Sequence, residues 1–346
     1  MTPRSAPAGR RRGRSWDTVR PARRFQQLWV SLGVLCLLPG LVATTLRLLP
    51  PEDDVPALLA AFVPYGVLAY LAALGLFLVA LVRARRHLVL ALLAGLSALL
   101  LTVHISWLAP YFVPDHRPAV GGSFSVLSLN IHEGTADPAQ MVQAAQQADV
   151  VVFVEATYGA MDLLRPYGWH RRFPYSVRSD PGAESGTAIY SRYPLTGTSH
   201  LDDPPYQQWS TSVQVPRLGP VRLIAAHPCN PYCGGGRFAI EHADLRATAD
   251  AAMGAPLVIA GDFNAVDDHG PMQALYRDGM ESATDIVGAG WLPTYPSNSW
   301  LPPLLPIDHV LVNRFLTATS ISSVRVAGTD HRGLLARIAR TDAAPR

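Results

Sequence analysis

The 346-residue sequence predicts an α/β protein in two regimes: a membrane region of three apolar helices, then a layered domain with sheet packed on sheet. Three observations lead there. Apolar residues crowd into the first third of the chain, where three runs approach the length that crosses a bilayer. From Ser123 onward, short β-type runs alternate with helical stretches. Polar residues of metal- and phosphate-binding type recur at the ends of the predicted strands.

The apolar runs are Leu28–Leu49, Ala57–Val82 and Leu88–Ala109. Each is near the roughly 20 residues of a spanning helix. Pro39 and Pro64 fall inside runs, where a kink is tolerable. Residues 1–27, with Arg10-Arg11-Arg12 and Arg23-Arg24, form a basic tail of disordered composition. The Arg83–Arg86 loop is also basic, whereas the Pro50–Pro56 loop carries Glu52, Asp53 and Asp54. The positive-inside rule puts tail and second loop in the cytoplasm and the acidic loop outside. An odd number of spans then exports everything after residue 109. Leu28–Ala43 alone also reads as a signal peptide, but two further runs follow it. His104, in the third run, is most simply a helix-packing or interfacial residue.

Charge divides along the same line. Residues 1–108 hold 12 arginines and 4 acidic residues, a balance of +8. Residues 109–346 hold 17 arginines and 22 acidic residues, a balance of −5. A domain of that sign lacks the basic footprint that displaces counterions from nucleic acid. Cys36 reads as a small buried hydrophobe. Cys229 and Cys233 lie in a Pro- and Gly-rich loop, too few for a zinc site. They are expected to form a local disulfide if that loop meets an oxidising compartment.

Within the domain, expected at 120–340, strands are predicted at Ser123–Leu129, Asp149–Glu155, Gly186–Tyr190, Ser210–Val215, Val221–Ala226 and Leu257–Ala260. Later strands are predicted at Asp308–Val312, Ser320–Val326 and Leu334–Ile338. Helices are predicted at Pro138–Gln147, capped by Asp137, and at Arg237–Met253. Asn130, Glu155, His227 and Asp262 each come at or just past a strand's carboxyl end. Asp308 and His331 come at or just before the amino ends of later strands, which antiparallel pairing can bring to the same edge.

In Gly261-Asp262-Phe263-Asn264, Gly261 is read as letting the chain bend sharply where a side chain would obstruct, with Asp262 and Asn264 facing one ligand. An ordinary Asx turn fits those residues equally well. The rest of the set tips the balance. Glu155 closes a strongly apolar strand, and buried acids are rare unless paired or metal-bound. A hard cation such as Mg²⁺ takes a few oxygen ligands together with water and substrate phosphate. Asp330 offers a carboxylate beside the imidazole of His331, and Asp308 could hold that imidazole in one tautomer. Asp267, Asp268 and His269 read as the start of a helix at Pro271, His132 and Glu133 as solvated loop or as support behind the metal ligands, and Arg192 as structural. Trp291, Tyr295 and Trp300 read as core, as a cleft wall or as a membrane-facing loop.

In order, Ser-Leu-Asn130, Val-Phe-Val-Glu155, Gly186-Thr-Ala-Ile-Tyr-Ser-Arg-Tyr-Pro194, Ala-Ala-His227-Pro, Gly-Asp262-Phe-Asn264, Ile-Asp308-His and Thr-Asp330-His331 resemble the motifs of the endonuclease/exonuclease/phosphatase superfamily. The resemblance spans about residues 123–340. It implies a four-layer α/β sandwich and cleavage of phosphoester or phosphoanhydride bonds with a divalent metal, Mg²⁺ or Mn²⁺. By that resemblance Glu155 is the main metal ligand, with Asn130 and Asp330 in the metal shell. Asp262 and Asn264 orient the attacking water and bind phosphoryl oxygens, His227 contacts phosphate, and Asp308 with His331 forms a carboxylate–imidazole pair. His331 is favoured as general base or phosphate ligand, with Asp262 the rival.

Three spans before an exported domain, with the His-Pro-Cys-Asn-Pro-Tyr-Cys and Tyr-Pro-Ser-Asn loops, further resemble the membrane-anchored teicoplanin- and vancomycin-resistance-associated proteins of actinomycetes. That implies a multi-pass plasma-membrane enzyme removing phosphate from undecaprenyl pyrophosphate at the outer face, with a link to glycopeptide resistance. The alternatives are an anchored endonuclease, a sphingomyelinase-like phosphodiesterase and an inactive binding or sensor module.

Overall fold

The computed structural model describes residues 19–52, 54–82, 87–115, 117–178, 185–201 and 206–342. Most of the basic tail, Asp53 and the Arg83–Arg86 loop lie outside the described residues. The chain divides into two compact units, one of residues 1–42 and 66–103 and one of residues 43–65 and 104–346.

The first unit is helical. Helix α1 covers Val19–Leu48, so helix begins upstream of the expected span at Leu28. After a short helix α2, Asp54–Ala60, and a 3-10 turn at Val63–Tyr65 come α3, Gly66–Val82, and α4, Leu88–Leu108. Among the described residues, three segments are long and apolar enough to cross a membrane: Gln26–Leu48, Val63–Val82 and Leu88–Tyr111. Leu37, Tyr70, Phe77, Leu90 and Ala94 share one apolar cluster. Gly33 and Gly40 give room for it, since a Cβ there would meet the rings of Phe77 and Tyr70 at 2.6 and 2.9 Å.

The expected second span starts too early. Ala57–Phe62 is as apolar as the span that follows, but it forms most of α2 and belongs to the second unit. Ala57, Ala60 and Ala61 fall on one helical face, and all are buried. Their small size lets the helix backbone approach the domain closely. Pro64 sits in the 3-10 turn at the start of the span, ahead of α3, and does not kink that helix.

The second unit is a sandwich of two mixed sheets with helices outside. Strands β1 (Ala119–Asn130), β2 (Val150–Ala156), β3 (Tyr175–Arg178), β4 (Ser185–Ser191) and β6 (Tyr206–Gln207) join one sheet. With β12 (Leu316–Arg325) and β13 (Arg332–Thr341) its order is β12-β13-β1-β2-β4-β3, and β6 pairs with β4. The other sheet holds β5 (Leu195–His200), β7 (Trp209–Val215), β8 (Gly219–Ala226), β9 (Leu257–Asp262), β10 (Met280–Ser282) and β11 (Asp308–Asn313). Its order is β10-β11-β9-β8-β7-β5. Helices α5 (Pro138–Ala144), α6 (Tyr158–Asp162) and α7 (Trp169–Arg172) lie beside the first sheet's strands in sequence. Helices α8 (Arg237–Ala252), α9 (Gly270–Arg277) and α10 (Ala283–Val287) belong to the second half. Asp137 caps α5 as expected, accepting from the Gln140 amide at 2.8 Å.

Alternation within the strands sorts the core. Phe124, Val126, Val150 and Val152 face Val221, Leu223, Val258 and Val310 in a cluster between the sheets. Leu127, Leu129, Val151 and Phe153 turn the other way, onto Met141 and Trp169. Ile224, Leu257, Ile259 and Leu311 pack outward against Leu245 and Leu275. Both faces of the central strands are covered, which explains their unbroken apolar sequences.

Candidate active site

Register gathers the predicted residues at one edge of both sheets. Parallel pairing of β1 with β2 brings Asn130 opposite Val154, one residue before Glu155. Parallel β8 and β9 align Ala226 with Gly261, so His227 and Asp262 emerge side by side. Antiparallel β11 sets Asp308 directly across from Asp262. His331 immediately precedes β13, which runs antiparallel to β1.

The obstruction expected at Gly261 is present, though within a strand and not at a sharp bend. Gly261 lies within β9, and a Cβ there would fall 1.9 Å from the Ala226 carbonyl oxygen. Glu155 leaves regular strand geometry, with φ of +54° at an irregularity between Phe153 and Ala156. Left-handed backbone at a glutamate stores strain, and the surrounding sheet holds it there. Asn264 is similar, with φ of +50°. The Asx turn also exists: the Asn264 amide donates to Asp262 Oδ1 at 2.8 Å, while its side-chain nitrogen donates to the Pro228 carbonyl at 3.0 Å. Turn and ligand geometry are the same device here.

Polar contacts link the set. Asn130 Nδ2 donates to Glu155 Oε1 at 2.9 Å and to Asp262 Oδ2 at 3.1 Å, and Asn130 Oδ1 accepts from the His132 amide at 2.9 Å. His331 Nδ1 bonds Asp308 Oδ2 at 2.8 Å, and its Nε2 lies 3.7 Å from Asp262 Oδ2. His227 Nε2 lies 3.8 Å from Glu155 Oε1. Two groups have ligand atoms within 4.8 Å of one another: Glu155, His227 and Asp262, and then Asp262, Asp308 and His331. Asp330 stands apart from both, its Oδ1 at 3.1 Å from His132 Nδ1 and 4.0 Å from His331 Nε2. The structure thus joins Glu155 with Asp262 more directly than with Asp330, and uses Asn130 as the bridge.

Burial and neighbours set the charge states. Burial raises the Asp262 carboxyl to about 7, against the nearby His331 cation. Burial opposes charge on His331 too, but Asp308, Asp262 and Asp330 outweigh it and lift its pKa to about 10. His227 falls to about 4, chiefly through burial. An imidazolium therefore sits among carboxylates, beside a neutral imidazole. Oxygen atoms of Glu155 and Asp262 converge on the same cavity, and buried Asp308 Oδ1 has no hydrogen-bond partner among the described residues. That oxygen-rich donor set fits a hard divalent cation.

The cavity, of about 370 Å³, is lined by Glu155, His227, Asp262, Asn264, Asp330 and His331. His132 and Glu133 line it too, from an exposed turn as expected of a solvated loop. The Glu133 amide donates to Glu155 Oε2 at 3.0 Å. Tyr295 also lines it, its ring 4.9 Å from that of His331, whereas Trp300 is exposed. Trp291 packs edge-on against Tyr111 and Tyr65. Arg192 is structural, paired with Asp149 at 3.0 Å. Cys229 and Cys233 form the expected disulfide.

Several supporting residues escaped the sequence reading. Gln208 accepts from the His227 amide at 2.8 Å, and Thr329 Oγ1 donates to the Asn130 carbonyl at 2.7 Å. Three buried imidazoles hold the chain after Asp262: His242 Nε2 is 3.0 Å from the Phe263 carbonyl, His309 Nε2 is 2.8 Å from that of Ala265, and His269 Nδ1 is 2.9 Å from the Val266 amide. Isolated histidines carry no spacing signal that would have revealed this.

A fold of two stacked mixed sheets, with Asn, Glu, His and Asp at one shared edge, defines a metal-dependent phosphohydrolase class. The model of the Endonuclease/Exonuclease/phosphatase family matches residues 127–331, and the chain belongs to that family. Its members are metal-dependent hydrolases acting on phosphoester bonds. Solved structures agree in fold. A functionally unknown conserved protein from Enterococcus faecalis V583 is 14% identical, covering 62% of this chain and 99% of its own, with a TM-score of 0.51. D. rerio TDP2 complexed with single strand DNA product is 16% identical, covering 63% and 99%, with a TM-score of 0.50. The Bacteroides vulgatus endonuclease/exonuclease/phosphatase is 15% identical, covering 63% and 99%, also at 0.50. No curated protein matches the sequence.

Proposed function

We propose that this protein removes the terminal phosphate from a polyprenyl pyrophosphate, undecaprenyl pyrophosphate being the substrate that its resemblance to glycopeptide-resistance proteins suggests. The observation that carries the lipid reading is topological. The segment between the first two apolar helices, residues 43–65, belongs to the same compact unit as the catalytic edge. The catalytic centre is thereby tied to a loop that enters and leaves the bilayer. The acidic character of that loop favours the extracytoplasmic face.

In this reading Glu155 is the principal metal ligand with Asp262 beside it, Asn130 holds the two carboxylates together, and Asp330 stands farther out in the metal's surroundings. A bound Mg²⁺ or Mn²⁺ would supply charge neutralisation at the phosphoryl oxygens. His331, held as a cation by Asp308, donates from Nε2 to a phosphoryl oxygen. Asn264 and His227 offer further contacts to the phosphate. Asp262, whose proton affinity sits near neutrality, takes the proton from the attacking water. The water oxygen bonds to the terminal phosphorus, and the bond from that phosphorus to the bridging oxygen breaks. Inorganic phosphate and the lipid monophosphate leave.

A nuclease is the second reading, because a structural relative was solved with single strand DNA product. The balance of −5 over residues 109–346 weighs against it. Purified full-length protein in detergent with Mg²⁺ tests both. Phosphate release from undecaprenyl pyrophosphate supports the proposal, nicking of plasmid DNA supports the alternative, and release of phosphocholine from sphingomyelin supports a phosphodiesterase. A well-folded protein inactive on all three points to a binding or sensor module.

A further inference from the structure

The sequence of Ala57–Phe62 looks like the beginning of a membrane span, yet the structure spends it elsewhere. Its alanine face is buried: Ala57 packs with Phe263 and Met272, and Ala61 with Val266 and Ile307. His269, read from sequence as a helix-start residue, fixes the segment. Its Nδ1 accepts from the Val266 amide at 2.9 Å, so the proton sits on Nε2, which donates to the Ala57 carbonyl at 2.8 Å. Burial lowers the His269 pKa and keeps the ring neutral for that arrangement. Farther upstream Arg47 pairs with Asp268 at 3.1 Å, and beyond the segment Tyr65 donates to the Leu304 carbonyl at 2.7 Å. The segment is thus held to the catalytic domain at Ala57 and by ties before and after it in sequence.

The clamp has a consequence for the cleft. Leu58 and Ala61 line the same cavity as Glu155, His227, Asp262 and His331. They supply an apolar side to a site whose other side is carboxylate and imidazole. Outward from them on the same segment, Val55, Leu59 and Phe62 are exposed. The second membrane-compatible stretch begins next in sequence, at Val63. An apolar strip therefore runs along this segment outward from the phosphate site.

We propose that Leu58 and Ala61, with Leu59 and Phe62 beyond them, form a specificity subsite that receives the hydrocarbon attached to the phosphate that is retained. The segment that precedes the second apolar helix in sequence is then part of the active site. This rests on the phosphohydrolase reading of the edge that holds Glu155 and Asp262. The strip has no polar group to satisfy a nucleotide base or sugar, so the subsite selects an isoprenoid or acyl chain.

The test uses the full-length protein in detergent micelles with Mg²⁺. Hydrolysis of farnesyl pyrophosphate is compared with that of inorganic pyrophosphate, for wild type, Leu58→Gln and Leu58→Met. A farnesyl pyrophosphate analogue carrying a diazirine beside the pyrophosphate maps the contact by mass spectrometry. The expected results are a tenfold or greater fall in the farnesyl-to-pyrophosphate ratio of kcat/KM for Leu58→Gln, recovery in Leu58→Met, and crosslinks within residues 55–62. An equal loss on both substrates reduces the segment to a structural role and overturns the proposal. So do an unaltered ratio and crosslinks confined to other segments. If wild type fails to hydrolyse any pyrophosphate but the label still reaches residues 55–62, the subsite stands and the catalytic assignment falls.

Discussion

Substituting Asp308 by Asn is the most informative single change at the catalytic edge. Asp308 is almost fully buried, and its Oδ2 bonds His331 Nδ1 at 2.8 Å. The variant keeps the shape and removes the charge that holds the imidazolium. A hydrogen bond to a charged group is worth about 1.5–3 kcal/mol, which at 1.36 kcal/mol per decade corresponds to a loss of roughly 10- to 150-fold in kcat/KM. The direction of the pH effect follows from His331. Its pKa in the folded protein is about 10, above the ordinary 6.5, with Asp308 the leading cause of the rise. Removing that carboxylate lowers it, so the alkaline limb of kcat/KM moves to lower pH. Stability changes in the same sense. The contribution of a raised imidazole is fully present below pH 6.5 and disappears as pH climbs through about 10. The difference in Tm between wild type and variant is therefore widest in acid and closes above that pH. Phosphate release across pH, with thermal melts alongside, measures both effects. An unshifted alkaline limb with activity within twofold of wild type would refute the argument.

Three other perturbations probe separate parts of the account. Glu155→Gln should lower kcat/KM by about 10²–10³, the range for losing one preorganised electrostatic group, and should weaken Mg²⁺ binding in calorimetry; retained Mg²⁺ affinity would remove Glu155 as the principal ligand. Gly261→Ala forces a Cβ against the Ala226 carbonyl oxygen, which is backbone and cannot swing away. A loss of about 3 kcal/mol is expected, read as a Tm lowered by roughly 6–10 °C; a melt matching wild type would contradict the close approach of β8 and β9. Replacing both Cys229 and Cys233 by Ser opens a short covalent loop and should cost about 2 kcal/mol. Non-reducing mass analysis of the purified wild type checks that the bond is formed.

The central strands were legible because both of their faces are buried. Runs such as Val150–Val154 carry apolar residues without interruption, and their ends place Glu155 and Asp262 where a cleft forms. The strands that escaped are of another kind. Leu195–His200 is almost wholly exposed beyond Leu195, and Met280–Ser282 is only three residues long, so neither has a period to read. The start of the second span was misplaced because hydropathy cannot separate an alanine-rich face buried against protein from one buried in lipid. Gly261 was legible as a place where a side chain would obstruct, but the obstructing group, the Ala226 carbonyl, appears only when β8 and β9 are paired. Asp268 and His269 do precede α9, as their sequence suggested, but their side chains also hold Arg47 and Ala57, more than 200 positions away. Such long-range tasks leave no local pattern.

The most direct test of the central claim is phosphate release from undecaprenyl pyrophosphate by full-length protein in Mg²⁺-containing micelles, with Glu155→Gln and supercoiled plasmid in parallel. The account predicts phosphate release by wild type, its loss in Glu155→Gln, and plasmid that stays supercoiled. Intact lipid with nicked plasmid would contradict it.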